Sequence, residues 1–94
     1  MIKSFKCKKT EKLFHRNTLQ NLPQDLQKIG HRKLLIIDAA TNINDLKIPP
    51  GNELEKLKGN KKGLYSIRIN KQWRICFEWK NNDAYNIEII DYHK

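Results

Sequence analysis

Cysteine, proline and glycine are scarce in this 94-residue chain, at two, three and four, and acidic residues number ten against nineteen basic ones. Each shortage excludes something. Cys7 and Cys76 are too few and too far apart for a zinc-ligand pattern, and two cysteines make no disulfide framework. Both are read as reduced packing residues. No apolar run approaches the roughly 20 residues of a membrane helix. The opening Met1-Ile2-Lys3-Ser4-Phe5 lacks the long apolar stretch of a secretory signal. The expected location is the cytoplasm, with no membrane partner. The shortage of acid leaves a formal charge of +9 and a pI near 9.7. Such a balance favours polyanionic partners through steering and counterion release: RNA, DNA or an acidic protein. The length fits a single domain over residues 1–94, which buries only roughly 60 to 65% of its unfolded surface.

What is present falls into two halves of different period. Met1 to Lys6 reads as a short strand and Lys8 to Arg16 as a short basic helix with Leu13 and Phe14 on its inner side. A turn around Asn17 to Asn21 follows. Leu22-Pro23 looks like a helix entry, since proline is preorganised for the first helical position. Leu26, Ile29, Lys33, Ile36, Ile37 and Ala40 then recur at helical spacing, which predicts a helix from Gln24 to Ala40. Lys33 is expected to lay its stem along the apolar stripe and surface its amine. Gly30 inside that helix disfavours it by roughly 1 kcal/mol relative to alanine, and close packing against a sheet is the simplest reason for it. Asn42 to Leu46 adds a short helical turn before Pro49-Pro50-Gly51.

Past Gly51 the period falls to two. Tyr65, Ile67, Ile69, Trp73, Ile75, Phe77, Trp79, Tyr85, Ile87 and Ile89 alternate with polar residues and hold five of the chain's eight aromatics. That apolar set is expected under the long helix. Three-residue loops at Asn70-Lys71-Gln72 and Asn81-Asn82-Asp83 keep it on one face. They pair Ile69 with Trp73, Arg68 with Arg74, Ile67 with Ile75, Phe77 with Ile87 and Ile75 with Ile89. The opposite face then carries Ser66, Arg68, Arg74, Cys76, Glu78, Asn86, Glu88 and Tyr92. Like charges directly opposed on a sheet repel, so an anion is expected between Arg68 and Arg74. On spacing alone the two fit equally a solvated face on which they pair with Glu78 or Glu88. Lys58, Lys61 and Lys62 lie in a turn-rich loop able to approach a phosphate or simply to face water. Asp91-Tyr92-His93 could supply proton transfer near neutrality or fray as a chain end. His15 and His31 are assigned to the surface.

Several segments match a known pattern in order and spacing: Met1 to Phe5, Arg32-Lys33-Leu34 through Asp38-Ala39-Ala40, Pro49-Pro50-Gly51-Asn52, Leu54-Glu55, Leu57-Lys58-Gly59, Tyr65 to Asn70, Gln72 to Phe77, and Glu88 to His93. In these the chain resembles the HigB-type branch of the RelE toxin superfamily. The resemblance implies an α+β fold like the microbial ribonucleases, with N-terminal helices packed on one face of a small antiparallel sheet. It further implies the toxin of a type II toxin-antitoxin pair, a ribosome-dependent endoribonuclease that enters the A site and cleaves translated messenger RNA. The ribose 2′-hydroxyl would attack phosphorus, without metal or cofactor. A HigA-type helix-turn-helix antitoxin would neutralise the toxin, and the complex would bind operator DNA. By the same resemblance Lys58 and Arg74 hold phosphate with help from Arg68, Lys61 and Lys62, Tyr92 stacks a base or orients the nucleophile, and His93 moves a proton beside Asp91. Two positions depart from the pattern. Glu55 stands where several relatives have histidine, so that either Glu55 replaces it as general base or catalysis relies on electrostatics and ribosomal groups, and Glu53 stands where a sub-branch has arginine. A non-catalytic nucleic-acid-binding module and a gyrase-poisoning toxin of related fold are the alternative readings.

Overall fold

The chain's structure, a computed structural model, describes residues 1–16, 19, 22–57 and 63–91. Two helices, α1 (Lys8–Phe14) and α2 (Gln24–Ala39), precede two short 3₁₀ turns, Ile43–Lys47 and Pro50–Asn52. Four strands follow: β1 (Glu55–Lys56), β2 (Leu64–Arg68), β3 (Trp73–Lys80) and β4 (Asp83–Asp91). They form one antiparallel sheet in the order β1-β2-β3-β4. The alternating pattern had suggested three strands. β1 escaped it because two exposed residues carry no apolar period.

The apolar stripe of α2 meets the sheet as expected. Leu26, Leu34 and Ile37 are buried with Leu13 of α1, Leu46, Ile67, Ile69, Ile75, Phe77, Ala84 and Ile87. Each such side chain contributes roughly 1.5 to 3 kcal/mol when fully buried, so this cluster fixes which sheet face turns inward. Helix boundaries shift slightly. α1 ends at Phe14 because Arg16 adopts φ 67°, and Pro23 is the residue before α2 rather than its first. The Gln27 side chain closes the approach to α2, donating to the Leu19 and Leu22 carbonyls at 2.8 and 2.7 Å and accepting from the Leu19 amide at 3.0 Å. His31 is half-buried between the helices rather than on the surface. Its Nε2 lies 3.3 Å from Arg16 Nε and its Nδ1 2.9 Å from the Leu13 carbonyl.

The N-terminal segment lies along β4 through parallel bridges, Ile2 to Ala84 and Phe5 to Ile87. Four backbone hydrogen bonds of 2.8–3.2 Å join the two segments. It is interrupted rather than a continuous strand because β4 bulges at Asn86, whose φ is 54° and whose amide donates to Ser4 Oγ at 2.8 Å.

The first hairpin keeps the expected register: Arg68 faces Arg74 and Ile67 faces Ile75. Asn70 closes its loop by accepting from the amides of Gln72 and Trp73 at 2.8 and 2.9 Å, an Asx turn. The second hairpin differs. Lys80 pairs with Asp83, leaving a two-residue turn of Asn81 and Asn82 at φ 53° and 64°. Asparagine tolerates this left-handed backbone, and the mirror-image turn suits the twist of the strands. The bulge then restores parity, so Ile75 still faces Ile89, but the expected pairing of Phe77 with Ile87 is broken. Tyr85 falls opposite Glu78, off the apolar face, and fully buried Ala84 opposite Trp79 takes the inner position.

A Cβ built on Gly30 would lie 3.1 Å from Leu13 Cδ2, 3.6 Å from Ile69 Cδ1 and 3.8 Å from Ile89 Cδ1. Close approach of α2 to α1 and the sheet is therefore what this glycine serves. Gly30→Val should lower stability by roughly 1 to 3 kcal/mol through overpacking, read as a reduced urea midpoint with an unchanged m-value; an unchanged midpoint would contradict this packing.

Candidate nucleic-acid interface

The inward turn of Ile67, Ile69 and Ile75 forces Arg68 and Arg74 onto the other face, directly opposite each other. That face is not the solvated surface the alternation suggested. Ser66 is fully buried, and Cys76 and Arg74 are nearly so, at 7% and 6% exposure. The segment after the Pro50–Asn52 turn supplies Arg74 with partners. Arg74 Nη2 donates to the Glu53 carbonyl at 2.5 Å, while its Nε donates to Ser66 Oγ at 2.8 Å. Asn52, also fully buried, anchors this turn by donating from Nδ2 to the Leu46 and Ile48 carbonyls at 3.2 and 3.3 Å.

Two carboxylates face the arginines. Glu53 Oε2 lies 3.8 Å from Arg68 Nη1 and 3.9 Å from Arg74 Nη1, and Glu55 Oε2 lies 3.8 Å from Arg74 Nη2. The carboxylate that lies against both arginines is thus the chain's own Glu53, a partner that neither expectation had named. Neither Glu78 nor Glu88 takes that place: Glu78 accepts from Asn86 Nδ2 at 2.6 Å and Glu88 pairs with Lys6 at 3.5 Å. These contacts to Arg68 and Arg74 exceed the roughly 2.7–2.9 Å of a charge-assisted hydrogen bond. Both glutamates are more than half exposed, so the pairs are loose and solvent-screened. Glu53, Arg68, Asn70, Lys71 and Arg74 line an open cleft of about 320 Å³.

Lys33 approaches from the helix side. Instead of surfacing, it is 6% exposed and its Nζ donates to the Arg68 carbonyl at 2.6 Å. Burial lowers its pKa below the ordinary 10.5, and the cations of Arg32, Arg68 and Arg74 lower it further, against the opposing pull of Glu53. The stripe spacing had marked Lys33 as a cation at a core position; its reach to the end of β2 was hidden until the helix had a partner. Glu53's role as a bridge was equally hidden, since its carboxylate arrives through a left-handed residue, φ 44°, after the 3₁₀ turn.

Of the expected site residues, Arg68, Arg74 and Glu55 converge. Asp91 does not line the cleft: it pairs with Trp73, placing Ile90 rather than Asp91 on the arginine face, and its Oδ2 accepts from Gln72 Nε2 at 3.0 Å. Lys58, Lys61, Lys62, Tyr92 and His93 lie outside the described residues. Among the described residues no three His, Cys, Asp or Glu side chains cluster as metal ligands, and no helix is long and apolar enough to cross a membrane.

The folded chain releases the Lys33 proton at lower pH than the unfolded chain does. Just below 10.5 the unfolded state therefore carries more protons, and this residue makes stability rise with pH. In Lys33→Met that rise should disappear from urea unfolding followed from about pH 8 to about pH 10; parallel wild-type and variant curves would show that the amine is not penalised by its site.

A family model described as a RelE-like toxin of the type II toxin-antitoxin system HigB matches residues 3–93. Toxin HigB-1 of Vibrio cholerae serotype O1 is 43% identical over 95 residues, covering 100% of this chain and 99% of the relative. Endoribonuclease HigB of Proteus vulgaris is 42% identical, covering 99% of this chain and 100% of the relative. The fold also matches a solved heterotetrameric YoeB-YefM toxin-antitoxin complex from Staphylococcus aureus, with a TM-score of 0.61, 25% identity, and coverage of 100% of this chain and 99% of the matched one.

Proposed function

The chain belongs to the HigB-like family, RelE-like toxins of type II toxin-antitoxin systems, and from that membership and the arginine cleft we propose that it is a ribosome-dependent endoribonuclease acting on translated messenger RNA. The observation that carries the reading is the convergence of Arg68 and Arg74 on one open cleft of a strongly basic chain. The Proteus relative is named an endoribonuclease, which favours cleavage over a non-catalytic binding module or a gyrase poison.

In this reading a phosphodiester enters between the two guanidiniums. The 2′-hydroxyl of the upstream ribose attacks phosphorus, the bond to the leaving 5′-oxygen breaks, and a cyclic phosphate results. Charge builds on the non-bridging oxygens, and donors fixed in advance at that position stabilise it without reorganisation. Arg74 is held by Ser66 and the Glu53 carbonyl, and Arg68 Nε donates to the Asn70 carbonyl at 3.1 Å. Both are thus preorganised. Glu55, beside Arg74, is the carboxylate available to accept the 2′-proton. Lys58, Lys61 and Lys62 would add phosphate contacts, Tyr92 a stacking surface, and His93 the leaving-group proton beside Asp91. A HigA-type antitoxin is the expected neutralising partner, the complex would act on operator DNA, and the cytoplasm is the site of action.

Arg74→Ala should reduce cleavage of ribosome-bound messenger RNA by about a hundredfold or more. It also strips partners from a buried site, so Arg68→Ala is the cleaner companion: its side chain is 34% exposed, and it should lose activity while keeping the wild-type circular dichroism spectrum. Wild-type 5′-end maps from the folded Arg68 variant would refute the assignment, and relaxed or broken plasmid DNA without RNA cleavage would favour the gyrase reading. For His93→Gln, cleavage should lose its dependence on pH across roughly pH 5 to 8; a profile unchanged from wild type in shape and height would make the terminal histidine a bystander.

A further inference from the structure

We propose that Glu53 is a built-in competitor for the phosphate site, an affinity-setting residue whose carboxylate rests between Arg68 and Arg74 and must be displaced by an incoming phosphate group. The inference deepens the proposed reading and rests on its placing of a phosphate in this cleft. Three observations carry it. The same Glu53 oxygen lies 3.8 Å from Arg68 and 3.9 Å from Arg74, a loose ion pair with each of the two cations that a phosphate oxygen would need. Its side chain is 56% exposed and belongs to the lining of the open cleft, so it can swing into water without breaching the core. Its backbone stays behind: the Glu53 carbonyl accepts from Arg74 Nη2 and the Glu53 amide donates to the Pro50 carbonyl at 3.0 Å. The carboxylate can therefore leave while the main chain continues to orient Arg74.

The exchange is nearly isoelectric. One monoanion leaves two guanidiniums and another takes its place, so the protein keeps the like-charge pair neutralised at rest and spends affinity for phosphate to do so. Two loose, solvent-exposed ion pairs are weak, which makes the competition modest and the site accessible. Glu55 does not do the same, since it faces Arg74 alone.

The test is titration of the intact chain with dimethyl phosphate, a monoanion like the phosphodiester, followed by NMR at the Arg68 and Arg74 side-chain Nε–H signals. Glu53→Gln should bind phosphate roughly threefold to tenfold more tightly than wild type, the size of two exposed ion pairs removed from competition. Glu11→Gln, the same change of charge on the exposed surface of α1, outside the cleft lining, should match wild type. Should Glu53→Gln not fold, Glu53→Asn serves, because asparagine suits the left-handed backbone at this position. Equal affinities in wild type and the Glu53 variant would overturn the inference, as would an equal gain in Glu11→Gln or no response at either arginine. Because the readout is binding and not RNA cleavage, a chain that binds phosphate as described but cuts no message would defeat the ribonuclease reading and leave the competition standing.

Discussion

Arg68 and Arg74 oppose each other across two central strands, and the polar groups around them are arranged to answer the repulsion between them. Their register cannot relax. Sliding β2 by one residue against β3 would turn fully buried Ile67 out of the core, at a penalty of roughly 1.5 to 3 kcal/mol. The core thus imposes the charge pair, and the polar side of the sheet must answer it. Ser66, the Glu53 carbonyl, the Asn70 carbonyl and two carboxylates do so. Two fixed guanidiniums, their charge largely answered by the chain's own carboxylates, are consequently in place before any ligand arrives.

The apolar alternation that made this pair legible did so because period two is a strong constraint when one face is buried. The loop Asn70-Lys71-Gln72, the pairing of Arg68 with Arg74 and the spacing around Gly30 all follow from side chains that must share one core. Where two solutions satisfied that same core, the sequence was silent. A two-residue turn plus a bulge at Asn86 returns Ile89 opposite Ile75 as well as a three-residue loop would, and only the tolerance of asparagine for positive φ separates them. Glu55–Lys56 carries no apolar period and joins the sheet through backbone pairing to β2. Glu53, Glu55, Arg68 and Arg74 were individually visible as charges, but the bridge among them depends on a left-handed residue after a 3₁₀ turn.

Lys33 shows how the two layers of the fold become one electrostatic unit. A lysine at a core position of an amphipathic helix ordinarily sends its amine past the edge to water. Here the amine stops at the Arg68 carbonyl, where an acceptor partly offsets its lost hydration. The contact ties α2 to the end of β2, the strand that presents Arg68. Thr10 makes a comparable tie on the other side, accepting from the Ile89 amide at 3.1 Å and fixing α1 against β4. Of these two hydrogen bonds, the one from Lys33 joins a helix directly to a residue of the cleft.

Charge at a distance and charge in the cleft are set separately. The chain's excess of +9 acts on any polyanion over a Debye length of about 8 Å at physiological salt. Inside that range Arg68 and Arg74 meet the carboxylates of Glu53 and Glu55, with Lys71 also on the cleft lining. On the proposed reading this internal carboxylate lowers affinity for the substrate phosphate. A bound phosphodiester is a monoanion and gains little over the Glu53 carboxylate it replaces. As the 2′-oxygen attacks, the phosphoryl oxygens gather further negative charge, and the same two guanidiniums then hold a ligand that a monoanionic side chain cannot rival. That growth of charge is the differential binding that raises the rate, whereas the cost of displacing Glu53 is common to the bound ground state and the transition state, so it raises KM and leaves the rate of the bound complex unchanged.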